Sequence, residues 1–326
     1  MCDLSGVTEH LQLSDKRGPL VLQPLENARD LRAFTEENRA GINARLLSHG
    51  AILFRGFNVN SIEAFDGFVG ALDERRAEYI YRSTPRTHLA NGIYTATEYP
   101  ADREIPLHNE NAYQRQWPLK LSLCCLTPAT SGGETPIADM AEVTASIAPP
   151  ILDSFRTRGV RYTRTYHADF DLSWQEVFQT EDREAVSSFC TQNAISHTWL
   201  DDRTLQTVQT CQGTARHPIT GAETFFNQAH LFHVSSLGEE MSEFMIDAFG
   251  KDKLPRHATF GDGGEIDEAD LKQITRAFSD AALTFKWQRG DIILLDNMQF
   301  AHGRSKFTGK RQVVASLLNI YDSTGD

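Results

Sequence analysis

Short apolar runs, each closed off by turn residues, recur from one end of this chain to the other. "HGAILFRGF" (His49 to Phe57), "LKLSLCCL" (Leu119 to Leu126), "GVRYTRTYH" (Gly159 to His167), "LQTVQT", "ETFFN", "DIILLD" and "RQVVASLLNIY" all have strand length and strand-like content or alternation. "SGGETPIAD" reads as a turn leading into one more short strand. Helical spacing is rarer. "SIEAFDGFVGALD" places Ile62, Phe65, Phe68, Val69 and Leu72 on one face behind a Ser61 cap. "EDREAVSSFCTQ" is a second helix, and "DEADLKQITRAFSDAAL", with Leu271, Ile274, Phe278 and Leu283 on a stripe, is a third. Many short strands with a few helices predict a mainly β fold, an antiparallel barrel or jelly roll with helical additions.

No repeat, low-complexity linker or composition shift divides the chain, so residues 1–326 are read as one domain. A hydrophobic fraction of 40% is ample for a sizeable core, and a formal charge of −12 argues against a general binder of nucleic acid or anionic membrane. The five cysteines, Cys2, Cys124, Cys125, Cys190 and Cys211, show no paired or metal-knuckle spacing. That predicts free thiols in a reducing compartment. The first twenty residues carry no apolar h-region and no run approaches spanning length, so the expected location is the cytoplasm.

Within this β pattern, "PLHNENAY" (Pro106 to Tyr113) sets an imidazole and a carboxylate two residues apart. On an extended segment His108 and Glu110 project from the same side, either as a surface pair or as two ligands of one metal. Taken alone, such a pair is commonly solvated or hydrogen-bonded within the fold. A second histidine, His302, follows a buried-looking strand in "GDIILLDNMQFAHGR", with Arg311 opening the last strand. Two histidines and one carboxylate suit non-haem Fe(II) and leave coordination positions open. Three-ligand zinc sites exist too, so the residues alone do not fix the metal. The planar fork of an arginine matches a carboxylate bidentately, which gives Arg311 a role in holding a 2-oxo acid. Without His302, Arg311 would read as an ordinary edge-strand residue.

Together "HGAILFRGF", "TATEYP", "IPLHNENAY…WPLKLSLCCLTPATSGGETPIAD", "RHPITGAETFFNQAHLFH" and "LLDNMQFAHGRSKFTGKR" resemble the TauD/TfdA superfamily of Fe(II)/2-oxoglutarate-dependent dioxygenases. The likeness is greatest to the branch holding the SyrP-type hydroxylases, asparagine oxygenase and clavaminate synthase, and it runs from about Gly50 to Arg311. It implies a double-stranded β-helix (jelly roll) and a chemistry that consumes 2-oxoglutarate and O2. It implies that His108, Glu110 and His302 hold the iron, and that Thr135 and Arg311 contact 2-oxoglutarate, with Arg304 as a rival for the arginine role. Because Glu110 is a carboxylate, the resemblance points to oxygen transfer (hydroxylation, epoxidation or desaturation) rather than halogenation. It further implies an amino-acid-derived substrate, free or held on a carrier protein, in natural-product biosynthesis.

Glu98 could pair with a substrate ammonium group, and Asn227, Gln228 and His233 could line the pocket. Asn109 and Asn111, pointing away from the metal on a regular strand, would bond in its outer shell. His230 and His233 have metal-like helical spacing, but a second metal is not expected there. The arginines at 156, 158, 161 and 164 could dock an acidic carrier, or simply face water. Two rival readings stand: a zinc-dependent hydrolase on a similar barrel, for which no HExxH-like signature is present, and a non-catalytic binding member of the fold. The sequence leaves open whether the chain forms a homo-oligomer.

Overall fold

The computed structural model describes residues 4–11, 16–25, 29–77, 81, 83, 87–96, 99–167 and 170–323. Two facing sheets organise the site. The larger has eight strands in the spatial order Val7–Leu11, Leu20–Pro24, Ala51–Phe54, Ile292–Asp296, Gln116–Thr127, Gln312–Asp322, Ile93–Thr95 and His88–Ala90. Its pairings are antiparallel except that of Leu20–Pro24 with Ala51–Phe54. The smaller runs Ala282–Leu283, Ile137–Asp139, Phe300–Arg304, Ile105–His108.

Period-two alternation sends each strand's side chains to two different cores. Leu53, Leu121, Leu123, Ile293, Leu295, Val313 and Leu317 meet Ile137 and Phe300 of the smaller sheet. The intervening Ile52, Phe54, Cys124, Ile292, Leu294 and Val314 pack against Phe34, Ile42, Leu46, Phe65, Phe68 and Val69 of two helices, Leu31–His49 and Ile62–Ala71. Both faces of the larger sheet are therefore buried, which is why "DIILLD" and "LKLSLCCL" are apolar at nearly every position.

The Ser61 cap forms as the sequence predicts, its side chain accepting from Ala64 N at 3.2 Å. The helix Leu31–His49 has no counterpart in the sequence reading. Asn38 breaks it with non-helical angles (φ −117°, ψ 15°), and its buried apolar residues fall in two groups, Leu31 and Phe34, then Ile42 and Leu46.

A third sheet, Ser196–Trp199, Leu205–Cys211, Val160–Tyr166 and Arg256–Phe260, shares an aromatic-rich core with the helix Glu268–Ala281. The four arginines near Val160 do not form one patch. Arg156 pairs with Glu223 and Arg158 with Asp262, Arg161 is exposed, and Arg164 is buried with its guanidinium 4.9 Å from the ring centres of Tyr81 and Tyr166. Cys124, Cys125, Cys190 and Cys211 are buried free thiols. Among the described residues no helix is long and apolar enough to cross a membrane.

Candidate metal and co-substrate site

His108 ends the strand Ile105–His108 and lies directly opposite His302 in the ladder with Phe300–Arg304. Their ring centres are 4.5 Å apart. The register shifts between His302 and Arg304, at Gly303, where an added Cβ would sit 2.6 Å from the Ile105 carbonyl oxygen. Glycine there lets the two backbones approach at the bulge.

The strand stops at His108, so Glu110 is not set by simple alternation. Residues 110–113 turn, with Asn111 in the left-handed region at φ 58°, and the turn carries the Glu110 carboxylate to 3.7 Å from His302 Nε2. Glu110 is 3% exposed. One ligand atom from each of His108, Glu110 and His302 lies within 4.8 Å of the others.

The donor set fits a divalent ion. His108 Nδ1 is 2.9 Å from the Pro106 carbonyl, which can only accept, so the proton sits on Nδ1 and the lone pair on Nε2. A dication would compensate the buried carboxylate, and three protein ligands leave room for further ones.

Of the two flanking asparagines, Asn109 acts through the backbone. Asn109 Nδ2 donates to Asn297 O at 2.7 Å. Asn297 in turn accepts from Glu110 N at 2.8 Å and donates to the carbonyls of Glu110 and Pro118 at 2.9 and 2.8 Å. Gln228 Nε2 donates to Asn109 O at 2.7 Å. Beside Asn297, Asp296 accepts from Met298 N and Gln299 N and bonds His217 Nε2 at 2.9 Å. Two backbone N–H groups donate to His217 Nδ1, which puts its proton on Nε2, facing Asp296. None of Asn297, Asp296 or His217 stood out as a single residue in the sequence. Only the pattern "LLDN" ahead of the distal histidine marked the segment.

Next to the histidines a cavity is lined by Ala96, Thr135, Arg304 and Arg311. Arg311 Nε donates to Gly133 O at 2.9 Å. Among the described residues no carboxylate forms an ion pair with it. Burial, and then the nearby Arg304, hold the Arg311 guanidinium down to about 10. Two cations facing one cavity make an anion site. Thr135, 2% exposed, accepts from Trp287 Nε1 at 3.1 Å and so keeps its hydroxyl proton for another acceptor. Arg304 is placed otherwise: Nη1 donates to Tyr99 O at 2.9 Å, and Nη2 to Pro100 O and Arg103 O at 2.6 Å each. It braces the loop before the metal strand.

Glu98 and Asn227 are the expected substrate residues. Glu98 lies outside the described residues. Asn227 is 1% exposed and spends both ends on backbone, donating to Gly213 O at 2.7 Å and accepting from Ala229 N at 3.0 Å. Both of its polar ends therefore brace the loop backbone. His230 and His233 do not share a helical face, because the helix ends at Phe232 and His233 is already extended (ψ 137°). His230 stacks on Phe278 and contacts Leu107 O at 3.3 Å, and burial lowers its basicity to about 4.

The family model for the taurine catabolism dioxygenase TauD, TfdA family, matches residues 21–318. The dapdiamide synthesis protein DdaC of Enterobacter agglomerans is 42% identical over 283 residues, covering 86% of each chain. A clavaminate synthase-like protein of Arabidopsis thaliana is 29% identical over 291 residues, 85% of this chain and 83% of that one. Among solved structures, PvcB of Pseudomonas aeruginosa, an Fe, alpha-ketoglutarate dependent oxygenase from an isonitrile synthetic pathway, superimposes with a TM-score of 0.57 at 14% identity, over 99% of this chain and 97% of its own. That likeness shows the jelly-roll fold.

Proposed function

Because this chain belongs to the TauD/TfdA family and is an Fe(II)- and 2-oxoglutarate-dependent oxygenase, we propose that His108, Glu110 and His302 are its iron ligands and that Arg311 and Thr135 hold the co-substrate. Bound there, ferrous iron supplies the activation of O2, coupled to decarboxylation of 2-oxoglutarate to succinate. The chain's residues bind, orient and exclude water. The Arg311 guanidinium pairs with the distal carboxylate, and the Thr135 hydroxyl donates to it while Trp287 fixes the threonine's orientation. Asn297 sets the direction of Glu110, and the Pro106 carbonyl sets the tautomer of His108.

The substrate in this reading is an amino-acid-derived molecule, free or carrier-held, oxidised in a natural-product pathway. What supports it is the 42% identity to a protein of dapdiamide synthesis. The buried free thiols support a cytoplasmic location. The reading rests on one observation: a buried carboxylate and two histidines converge beside a cavity that presents an arginine with no ion pair among the described residues. Anaerobic addition of Fe(II) and then 2-oxoglutarate should produce a weak visible charge-transfer band, and its absence would favour a zinc enzyme. Mass spectrometry of a panel of free amino acids and aminoacyl carriers, incubated aerobically with iron and co-substrate, then identifies the substrate by a gain of oxygen or a loss of two hydrogens.

A further inference from the structure

Among the described residues, one other group of side chains outside that site converges as metal ligands do. His233 precedes the turn Val234–Leu237, His257 lies in the strand Arg256–Phe260, and Glu265 lies in the loop between that strand and the helix Glu268–Ala281. One ligand atom from each lies within 4.8 Å of the others, a limit that His108, Glu110 and His302 also meet. His233 and His257 are 5% and 6% exposed, with ring centres 4.7 Å apart.

We infer that His233, His257 and Glu265 form a second divalent-metal site of the Zn(II) type, sharing no ligand with the first. The buried Nε2 of His257 carries the argument, because among the described residues it has no hydrogen-bond partner. A buried polar atom in that state is costly, and an ion in the pocket would satisfy it. His233 Nδ1 accepts from Ser235 N at 3.2 Å and lies 2.7 Å from Ser235 Oγ; on loading, Nδ1 would take the proton and donate to that hydroxyl, freeing the Nε2 lone pair for the ion. Burial holds both imidazoles neutral, His257 at about 4, so protons do not compete for them near neutral pH.

Two neutral imidazoles and one carboxylate are ligands for a borderline ion in a four-coordinate site completed by water. Loading has a cost in contacts. Glu265 must exchange Lys251, now 2.9 Å away, for the ion. The long 3.4 Å contact from Val234 N to His257 Nδ1 must yield, as must the 3.2 Å contact from Ser235 N to His233 Nδ1. The return is a staple joining three segments that are separate in sequence.

The test uses the metal-stripped full chain and Zn(II) alone, with bound metal measured after equilibrium dialysis. Wild type should hold two ions per chain, His108→Ala one, His257→Ala one, and the double variant none. Glu265→Gln, at an exposed position, should weaken the second ion at least tenfold with the fold intact, which keeps the test valid should His257→Ala misfold. In the His108→Ala background, Zn(II) should still raise the thermal midpoint. A folded His257→Ala chain that holds as many ions as wild type overturns the inference. So does a second ion whose affinity stays within threefold in Glu265→Gln. If His108→Ala removes no ion while His257→Ala removes one, the iron-ligand assignment fails and this one stands.

Discussion

Asn297 grips Glu110 by its backbone from both sides: its Oδ1 accepts the Glu110 N–H at 2.8 Å and its Nδ2 donates to the Glu110 carbonyl at 2.9 Å. The distal loop thereby fixes the turn on which the carboxylate sits. Asn297→Ala should lower stability by about 2–4 kcal/mol, since it strands buried backbone groups, and should weaken Fe(II) binding roughly 10–100-fold. Urea unfolding and anaerobic iron titration measure the two effects separately. Iron affinity unchanged in a folded Asn297→Ala protein would remove the positioning role.

His108→Ala and Glu110→Ala should each abolish succinate formation and leave the circular dichroism spectrum unaltered. Normal turnover by either variant means that the ligands have been misassigned.

Arg311→Ala should weaken 2-oxoglutarate by the worth of a hydrogen bond to a charged group, about 1.5–3 kcal/mol, read as a rise in its KM. Arg304→Ala should behave differently. It releases the carbonyls of Tyr99, Pro100 and Arg103 and should lower the thermal midpoint more than it alters co-substrate affinity. The opposite pattern would hand the carboxylate to Arg304.

Gly303→Ala places a methyl group 2.6 Å from the Ile105 carbonyl oxygen, so the strands carrying His302 and His108 must part. We expect a loss of about 1–3 kcal/mol by analogy with overpacked cores, together with weaker iron binding, seen by calorimetry and metal titration.

Stability should also fall on mild acidification. His230 and His257 are both held at about 4 by burial, below the ordinary histidine value near 6.5. The folded state therefore binds fewer protons than the unfolded state between those values. Its advantage is complete above about pH 6.5 and is lost as pH falls towards 4, by up to about 3 kcal/mol for each residue. Denaturant midpoints measured from pH 7.5 to 4.5 should decline for wild type and less steeply for His230→Phe.

Much of this architecture is legible in the chain. Strands such as Ile292–Asp296 announce themselves because both of their faces are buried, and the proposed iron triad stands out because histidine and carboxylate recur in order within a β pattern. Other features are not legible, for physical reasons. Asn297 and Trp287 act through hydrogen bonds to segments distant in sequence, which no local spacing records. The His230–His233 spacing misleads because the helix ends between them, and what His233 meets instead, His257, comes from another strand. Of the two backbone bonds of Asn227, to Gly213 and Ala229, the first likewise joins segments that no local spacing relates.

The ladder that sets His108 opposite His302 also fixes an order of events in biosynthesis. Nearly two hundred residues separate the two imidazoles, and the intervening chain must be folded before the last strands can dock and close so long a loop. Held by the proposed ligands, a ferrous ion is thus expected to follow folding rather than to nucleate it as zinc nucleates a finger. It enters a finished vessel, and apoprotein made in iron-starved cells should be native, storable and ready to be charged.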